Sequence, residues 1–302
     1  MSVSNKARIR EDAMSLNPMD DALFQKMAEN KDFCQEILQV ILGDKELVVL
    51  SANPQFMVKN LQGRSCLLDA KCQLGDGKIV NIEIQKADDD DHQRRVRFNG
   101  ALLTANLTDP GSKFIQVPDV IVVFISKFDI FKSKRSLYHV DRVIRETGKI
   151  VENGFTEIYV NAEADDKSDV SELMNVFVKD KVYDDVKFPV TSACKRRYKT
   201  TEEGVREMCE IIERNRAEGR EEGRAEGRAE GRAEGRAEGR AEGLAAGKAS
   251  LIINMLKNKM KPEQIAQIAQ MTVEQIVAIG QGGKNSCYGL ILCTEYVKLA
   301  LR

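Results

Sequence analysis

A β-hairpin pattern at residues 66–85 constrains the fold more than any other feature of the sequence. Two strand-like segments, Cys66–Leu74 and Lys78–Gln85, flank the turn Gly75–Gly77, whose Gly-Asp-Gly composition is typical of hairpins. Leu74 then pairs with Lys78, and the register follows by counting outward. Because side chains alternate across a strand, a slip by one residue would turn a whole apolar face outward, so the pattern specifies one register.

The predicted register places apolar residues of both strands on one face and Asp69 opposite Glu83 on the other. Lys71 and Gln85 lie beside this acidic pair. Directly opposed side chains have Cβ atoms about 4.5–5.5 Å apart, a distance at which like charges repel. The predicted apolar pairs are Leu68 with Ile84, Ala70 with Ile82, and Cys72 with Val80.

Two opposed carboxylates in one hairpin favour a divalent-cation site. Mg²⁺ is usually held by one or two carboxylates together with waters and phosphate oxygens, and it can activate water for attack on a phosphodiester. We therefore predict that Asp69 and Glu83 bind Mg²⁺ or Mn²⁺, with Gln85 and Lys71 placed to orient water or phosphate. The alternative is a solvated hairpin face on which each acid is screened by a lysine.

The first 200 residues predict a layered α/β domain. Apolar residues recur at helical spacing from Asp20 to Leu42, and Gly43 ends that helix. Through Ser126 the order is helix, three strands, helix, strand, which is the order of an α/β fold. The other predicted elements are β-like segments at Glu46–Leu50 and Gln55–Val58, a helix at His92–Leu107, a strand buried on both faces at Asp119–Ser126, a strand at Phe155–Asn161 and a helix at Val170–Val178.

A repeat of Arg-Ala-Glu-Gly separates this domain from the C-terminus. Its glycines recur every four residues from Gly219 to Gly247, and each costs a helix about 1 kcal/mol relative to alanine. Its i,i+4 neighbours carry like charges, which destabilises a helix further. We predict a marginal helix or flexible linker; the alternative is a self-associating helix with a Gly/Ala stripe. The predicted domains are 15–200, the repeat at 201–248, and a small helical region at 249–302.

Charge and cysteine content exclude several classes of protein. The net charge of −1 means that a nucleic-acid surface must be local. The seven cysteines form no CxxC pair and no zinc-ligand spacing, and their odd number favours reduced thiols in a cytosol. No apolar run approaches the length of about 18 residues that a membrane span needs. We expect a cytoplasmic protein with no membrane partner and no small-molecule substrate.

Five stretches of the sequence, taken in order, resemble the PD-(D/E)XK nuclease family transposase group, the recombination-promoting nucleases of bacteria. The resemblance covers Ser15 to Phe177, and a Gly-Glu-Arg repeat before a short helical C-terminus is also usual in that group. It implies a restriction-endonuclease-like αβββαβ core and Mg²⁺-dependent cleavage of a DNA backbone. The stretches are LLDAKCQLGDGKIVNIEIQ, HQRRVRFNGALLTANL, VPDVIVVFISKFDIF, LYHVDRVIRETG and EIYVNAE.

The resemblance also implies roles for individual residues. Asp69 matches the motif aspartate and Glu83 the motif acid, so both would bind the metal. Gln85 stands where the broad superfamily has lysine; glutamine is common in the transposase-like group, but it cannot supply a cation near the attacking water. Lys71 could replace that charge. Asp21, in DDALFQK, matches an auxiliary catalytic acid, although helix capping is the simpler explanation for an acid at a helix start.

Basic side chains near the motif are candidates for DNA contact. Arg94 and Arg95 begin the helix after the motif strand and could meet phosphates, or they could balance the acidic run Asp88–Asp91. A second basic cluster, Lys195–Lys199, is expected in a solvated loop.

These observations predict a metal-dependent DNA endonuclease associated with recombination or mobile elements. One site per chain suggests a homodimer if both strands are cut. The alternative is a catalytically degenerate nuclease fold that acts as a DNA-binding or assembly module, with Gln85 as the mark of lost catalysis. In a third account, the C-terminal helices make the main DNA contact and the core is a scaffold.

Overall fold

The computed structural model describes residues 3–60 and 63–282. The chain divides into two compact units, Met1–Arg216 and Ala217–Arg302. Most of the predicted tail after Gly280 lies outside the described residues. The helices are α1 (Val3–Ser15), α2 (Asp21–Ala28), α3 (Lys31–Leu42), α4 (His92–Leu107), α5 (Asp169–Val178), α6 (Pro189–Thr200), α7 (Glu202–Lys257), α8 (Pro262–Ala269) and α9 (Val273–Gly282), and the strands are β1 (Val49–Val58), β2 (Cys66–Leu74), β3 (Ile79–Gln85), β4 (Val120–Ser126), β5 (Leu137–Val140) and β6 (Phe155–Asn161).

The first unit is built on a six-stranded mixed sheet with the order β1-β2-β3-β4-β6-β5. Strands β3, β4 and β6 run parallel, and the remaining neighbours are antiparallel. Helices α2, α3, α5 and α6 cover one face of the sheet, and α4 covers the other. Every residue of β4 is buried, as its apolar sequence predicts. The predicted α/β class is confirmed.

The hairpin register is confirmed over most of its length. Ala70 pairs with Ile82 and Cys72 with Val80. At the turn, the Leu74 amide donates to the Lys78 carbonyl at 2.9 Å. The sequence pattern therefore placed both strands correctly next to the turn.

The apolar face of β2 changes sides at Asp69, so the predicted pairing of Leu68 with Ile84 is wrong. Leu68 packs on the α4 side of the sheet, whereas Ile84 and Ala70 pack on the opposite side. The position on β1 across from Asp69 is Gln55, whose φ of 53° lies in the left-handed region. Such an irregularity re-aims side chains and breaks the alternation from which the faces were inferred.

Two predicted boundaries also need correction. The helix expected over residues 20–42 is two helices, because Asn30 accepts a hydrogen bond from the Asp32 amide at 3.0 Å and caps α3. The two β-like segments before the hairpin are the single strand β1. Gly43 ends α3 with a φ of 68°, as predicted.

Helix α7 continues through the whole Arg-Ala-Glu-Gly repeat, and every residue in the range 214–244 is exposed. Its last turns pack with α8 and α9 around a small apolar core that contains Ile252, Ile265 and Ile276. Among the described helices, none combines the length and the apolar character that crossing a bilayer requires.

The basic cluster expected in a solvated loop lies on α6, and two of its lysines are buried. The Lys195 ammonium donates hydrogen bonds to the carbonyls of Val176, Lys179 and Val182 at 2.8, 2.5 and 3.1 Å. These carbonyls lie at and just after the C-terminal end of α5, where a helix leaves acceptors unpaired. Lys195 therefore closes the end of a core helix.

We expect Lys195→Met to lower the free energy of unfolding by about 2–4 kcal/mol, because the apolar stem is kept while three carbonyls lose their donor. Denaturant unfolding followed by circular dichroism measures this change. The matched control is Arg196→Met, at a neighbouring side chain that makes an exposed ion pair with Asp185. The control should leave the unfolding midpoint nearly unchanged; equal effects of the two substitutions would contradict the assignment.

Candidate active site

Glu83 lies at the centre of a buried polar cluster on β3, with no exposed surface. One carboxylate oxygen accepts a hydrogen bond from Asn81 Nδ2 at 2.9 Å, and the other accepts one from Arg95 at 3.1 Å. Burial raises the pKa of Glu83, and the hydrogen bonds from Asn81 and Arg95 oppose that rise. Asn81 Oδ1 is also buried, and it has no hydrogen-bond partner within the described residues.

Helix α4 brings its side chains to Glu83 because the helix packs closely on the sheet at Gly100. A Cβ on Gly100 would lie 2.3 Å from the ring of Phe155, so any larger residue would have to displace that ring. Arg95 hydrogen-bonds to Glu83, and Asn99, one turn further along α4, lies close enough to Glu83 to lower its pKa.

Arg95 joins the two polar residues of the motif strand. Its guanidinium donates to Gln85 Oε1 at 2.8 Å as well as to Glu83. The Gln85 amide nitrogen donates in turn to the Ala87 carbonyl at 2.9 Å. A positive charge therefore lies beside Glu83, and it comes from α4 rather than from the motif strand.

Asp69 lies where β2 and β3 separate. The pairing ends at Ala70 and Ile82, and Asp69 Oδ2 accepts the Ile84 amide at 2.9 Å in place of a backbone carbonyl. Burial, followed by the charge of Glu83, raises the pKa of Asp69 to about 7. The structure thus brings the two predicted metal ligands together.

Asp21, the first residue of α2, belongs to the same acidic group. Its charge is among the causes of the raised pKa of Asp69. Burial, followed by the charge of Asp20, raises the pKa of Asp21 itself, and Arg95 lowers it. Three carboxyl groups from α2, β2 and β3 therefore share one region next to a single guanidinium.

Two predicted DNA-contact residues, Lys71 and Arg94, have side chains that contact residues other than Glu83. The Lys71 ammonium lies 4.4 Å from the centre of the Phe56 ring, and burial lowers its pKa. The Arg94 side chain is 78% exposed and pairs with Asp91 at 3.0 Å.

The sequence analysis did not include Asn81 and Asn99 among the site residues. Asn81 lies two residues before Glu83 on β3, and Asn99 lies four residues after Arg95 on α4. These spacings place side chains on one face of a strand and on one face of a helix.

A cleft of about 540 Å³ opens beside this cluster. Arg95 and Asn99 form its inner side, where they also contact Glu83. Its remaining lining includes Arg64, Arg94 and Phe98, so the cleft offers both guanidinium groups and an aromatic ring next to the buried carboxylates.

The oxygen donors fit a hard divalent cation. In the described part of the chain, no three His, Cys, Asp or Glu side chains form a cluster arranged to hold a metal by themselves. Mg²⁺ does not require one, because it takes one or two carboxylates and completes its shell with waters and phosphate oxygens. Repulsion between Asp69 and Glu83 and the orphaned Asn81 Oδ1 are both consistent with such an ion.

A family model, PD-(D/E)XK nuclease family transposase, matches residues 18–230. The chain belongs to this family. The matched range contains all of the sheet, α4 and every residue of the acidic cluster. No curated protein and no solved structure gives a significant match. Membership in the PD-(D/E)XK nuclease family transposases confirms the resemblance drawn from the sequence motifs.

The acidic cluster of this PD-(D/E)XK family member should make the metal-free protein less stable as pH rises. An acid with a raised pKa holds its proton longer in the folded state, so unfolding becomes easier between about pH 4 and pH 7. Asp69→Asn should remove part of this slope and raise stability at pH 8 by roughly 2–4 kcal/mol.

Denaturant unfolding in chelator-containing buffer from pH 4.5 to 8 measures the slope. Asp76→Asn, in the hairpin turn, is the matched control because its carboxylate is exposed and paired with Lys78. An identical slope in the wild type and in Asp69→Asn would contradict the buried acidic pair.

Proposed function

We propose that the chain is a cytoplasmic, divalent-metal-dependent DNA endonuclease associated with recombination or mobile elements. The proposal rests on one observation above all: where β2 and β3 separate, the partly buried Asp69 lies close enough to the fully buried Glu83 for the charge of Glu83 to raise the pKa of Asp69. Family membership supports a nuclease, and the chemistry of the cluster supports the metal.

Asp69 and Glu83 would hold Mg²⁺ or Mn²⁺. Each carboxylate oxygen of Glu83 accepts one hydrogen bond and keeps a second lone pair for a ligand. When bound, the ion would lower the pKa of a water and neutralise charge on the phosphate. Asp21, close to Asp69, would serve as the auxiliary acid that orients this water.

Arg95 would supply the cation that Gln85 cannot. Its guanidinium contacts both motif residues, and Gln85 holds it in place through its amide oxygen. A fixed positive charge at this position stabilises charge that develops on a phosphate during attack. Arg94 and Lys71, away from Glu83, would contact the DNA backbone outside the scissile phosphate.

A duplex presents two strands to a protein with one cluster per chain. We propose that two chains act together when both strands are cut, which makes the active species a homodimer. A single chain would nick.

The central test is a nuclease assay on circular and linear DNA with Mg²⁺ or Mn²⁺ titrated from zero. We expect cleavage to require the ion and to fall by a factor of about 10² or more in Asp69→Asn and Glu83→Gln, which keep the shape of each side chain. The same ions should raise the melting temperature of the wild type and not of the variants, since only a folded site binds them. Cleavage that persists in chelator, or in both variants, would refute the metal mechanism.

A second test separates Arg95 from its neighbour. Arg95→Met should lower the cleavage rate at saturating DNA by about 10²-fold, because a charge next to the scissile phosphate acts mainly in the transition state. Arg94→Met should instead weaken DNA binding and reduce its salt dependence, with little effect on the rate at saturation. If Arg95→Met weakened DNA binding and Arg94→Met lowered the cleavage rate at saturating DNA, this assignment would be overturned.

One observation favours a second candidate, a degenerate nuclease fold that binds DNA without cutting it. Both oxygens of Glu83 are already paired, and the motif lysine is replaced by Gln85. Retention of DNA on a filter that is unaffected by chelator and yields no product would support this candidate over the nuclease.

A further inference from the structure

The exposed part of α7 carries four rows of identical side chains, each of which winds slowly around the helix. In each four-residue repeat, Arg, Ala, Glu and Gly follow one another, and α7 keeps them helical. At about 100° per residue, Arg and Glu lie on nearly opposite sides of the helix, and so do Ala and Gly. The helix therefore has an Arg row (Arg224, Arg228 and every fourth residue to Arg240), a Glu row (Glu226 to Glu242) and a Gly row (Gly223 to Gly243).

Within the repeat from Arg224 to Glu238, the sequence places no opposite charge at the spacings that bring helical side chains together. Between Arg224 and Glu238, no arginine lies three or four residues from a glutamate. Only those spacings bring side chains together on a helix, and here they join like charges. Arg232 and Arg236 instead donate to the backbone carbonyls of Arg228 and Arg232, so the repeat offers these side chains carbonyl oxygens and no carboxylate at a neighbouring position.

No described residue of this chain packs on the Gly row. No atom in the described part of the chain, apart from the helix's own backbone, lies within 4 Å of a Cβ placed on any glycine from Gly219 to Gly247. Each such glycine costs the helix about 1 kcal/mol relative to alanine. Glycine at every fourth position also lets a second helix approach its backbone closely, with a right-handed crossing of about −40° to −50°.

We propose that the repeat helices of two copies of this chain associate in parallel through their Gly rows. In a parallel two-fold pair, the left flank of one helix faces the right flank of the other. The Arg row of each copy then lies along the Glu row of its partner on both sides of the contact. In an antiparallel pair, equal flanks meet, so that Arg faces Arg and Glu faces Glu. Charge therefore selects the parallel arrangement, because like charges across an interface oppose binding.

The contact is local along the helix. A four-residue repeat advances about 6 Å and turns the Gly row by about 40°, so only two or three repeats face the partner before the row turns away. Crossing the helices at an angle accommodates this drift. The association joins two chains independently of whether the acidic cluster of either one is active.

The first experiment exchanges charge in full-length protein. One variant carries Glu226→Arg, Glu230→Arg and Glu234→Arg, and the other carries Arg228→Glu, Arg232→Glu and Arg236→Glu. Sedimentation equilibrium should show a wild-type dimer, a dissociation constant raised about tenfold or more in each variant alone, and recovery when the two variants are mixed. A monomeric wild type, or variants that associate alone as well as the wild type does, would overturn the proposal.

The second experiment tests the direction of the pair. A spin label on a genetically encoded ketone residue, which leaves the cysteines untouched, is placed at position 217 or at position 241. These positions are separated by about 36 Å along a helix. Mixed samples should show a short distance between two labels at 217 and a longer one between 217 and 241. The reverse order would establish an antiparallel pair and refute the charge argument.

The third experiment tests the Gly row itself. Gly227→Ala, Gly231→Ala and Gly235→Ala together should increase helix content and yet weaken association, because the added methyl groups hold the backbones apart. The matched control places glutamine on the opposite row, with Ala229→Gln and Ala233→Gln. The control should keep the dimer; loss of association in the control alone would assign the contact to the alanine row.

Discussion

Burial of the Glu83 carboxylate sets the conditions for everything around it. A carboxylate without exposure is stable only when its oxygens are paired, and here Asn81 and Arg95 pair them, with Asn99 nearby. Arg95 and Asn99 both belong to α4, so the helix has to lie close to the sheet. Gly100 permits that approach, and loss of pairing between β2 and β3 beyond Ala70 leaves room for Asp69.

The sequence predicts the fold well where one periodicity dominates. The hairpin follows from alternation and β4 from an unbroken apolar run, and the structure confirms both elements. The split between α2 and α3 was missed because the apolar spacing continues across Asn30, whose capping bond is a local event. Burial of Lys195 was missed for a different reason. Lysine is rarely buried, and Lys195 is buried because its ammonium pairs with backbone carbonyls that the end of α5 leaves without a helical partner.

The residues of the candidate site were likewise predicted from the sequence only in part. Asp69 and Glu83 were predicted as a pair from the hairpin register, although the observed pairing ends one residue short of them, at Ala70 and Ile82. The contact between Arg95 and Glu83 cannot be read from the sequence, because it depends on how closely α4 approaches the sheet. The helical spacing of Arg95, Asn99 and the small residue Gly100 places them on adjoining faces of α4. This spacing points to the contact only once the structure has shown which face of α4 meets the sheet. The change of face at Asp69 was equally hidden, since it follows from the backbone of a neighbouring strand.

The uniform repeat of α7 gives this helix an adjustable length. Gain or loss of one unit keeps the reading frame, alters no row and leaves the flanking sequences intact. Each step extends or shortens the rod by about 6 Å and rotates its far end by about 40°. Chains with different copy numbers would therefore still present the same surfaces to one another, while the spacing between whatever is attached at either end changes in small, regular increments.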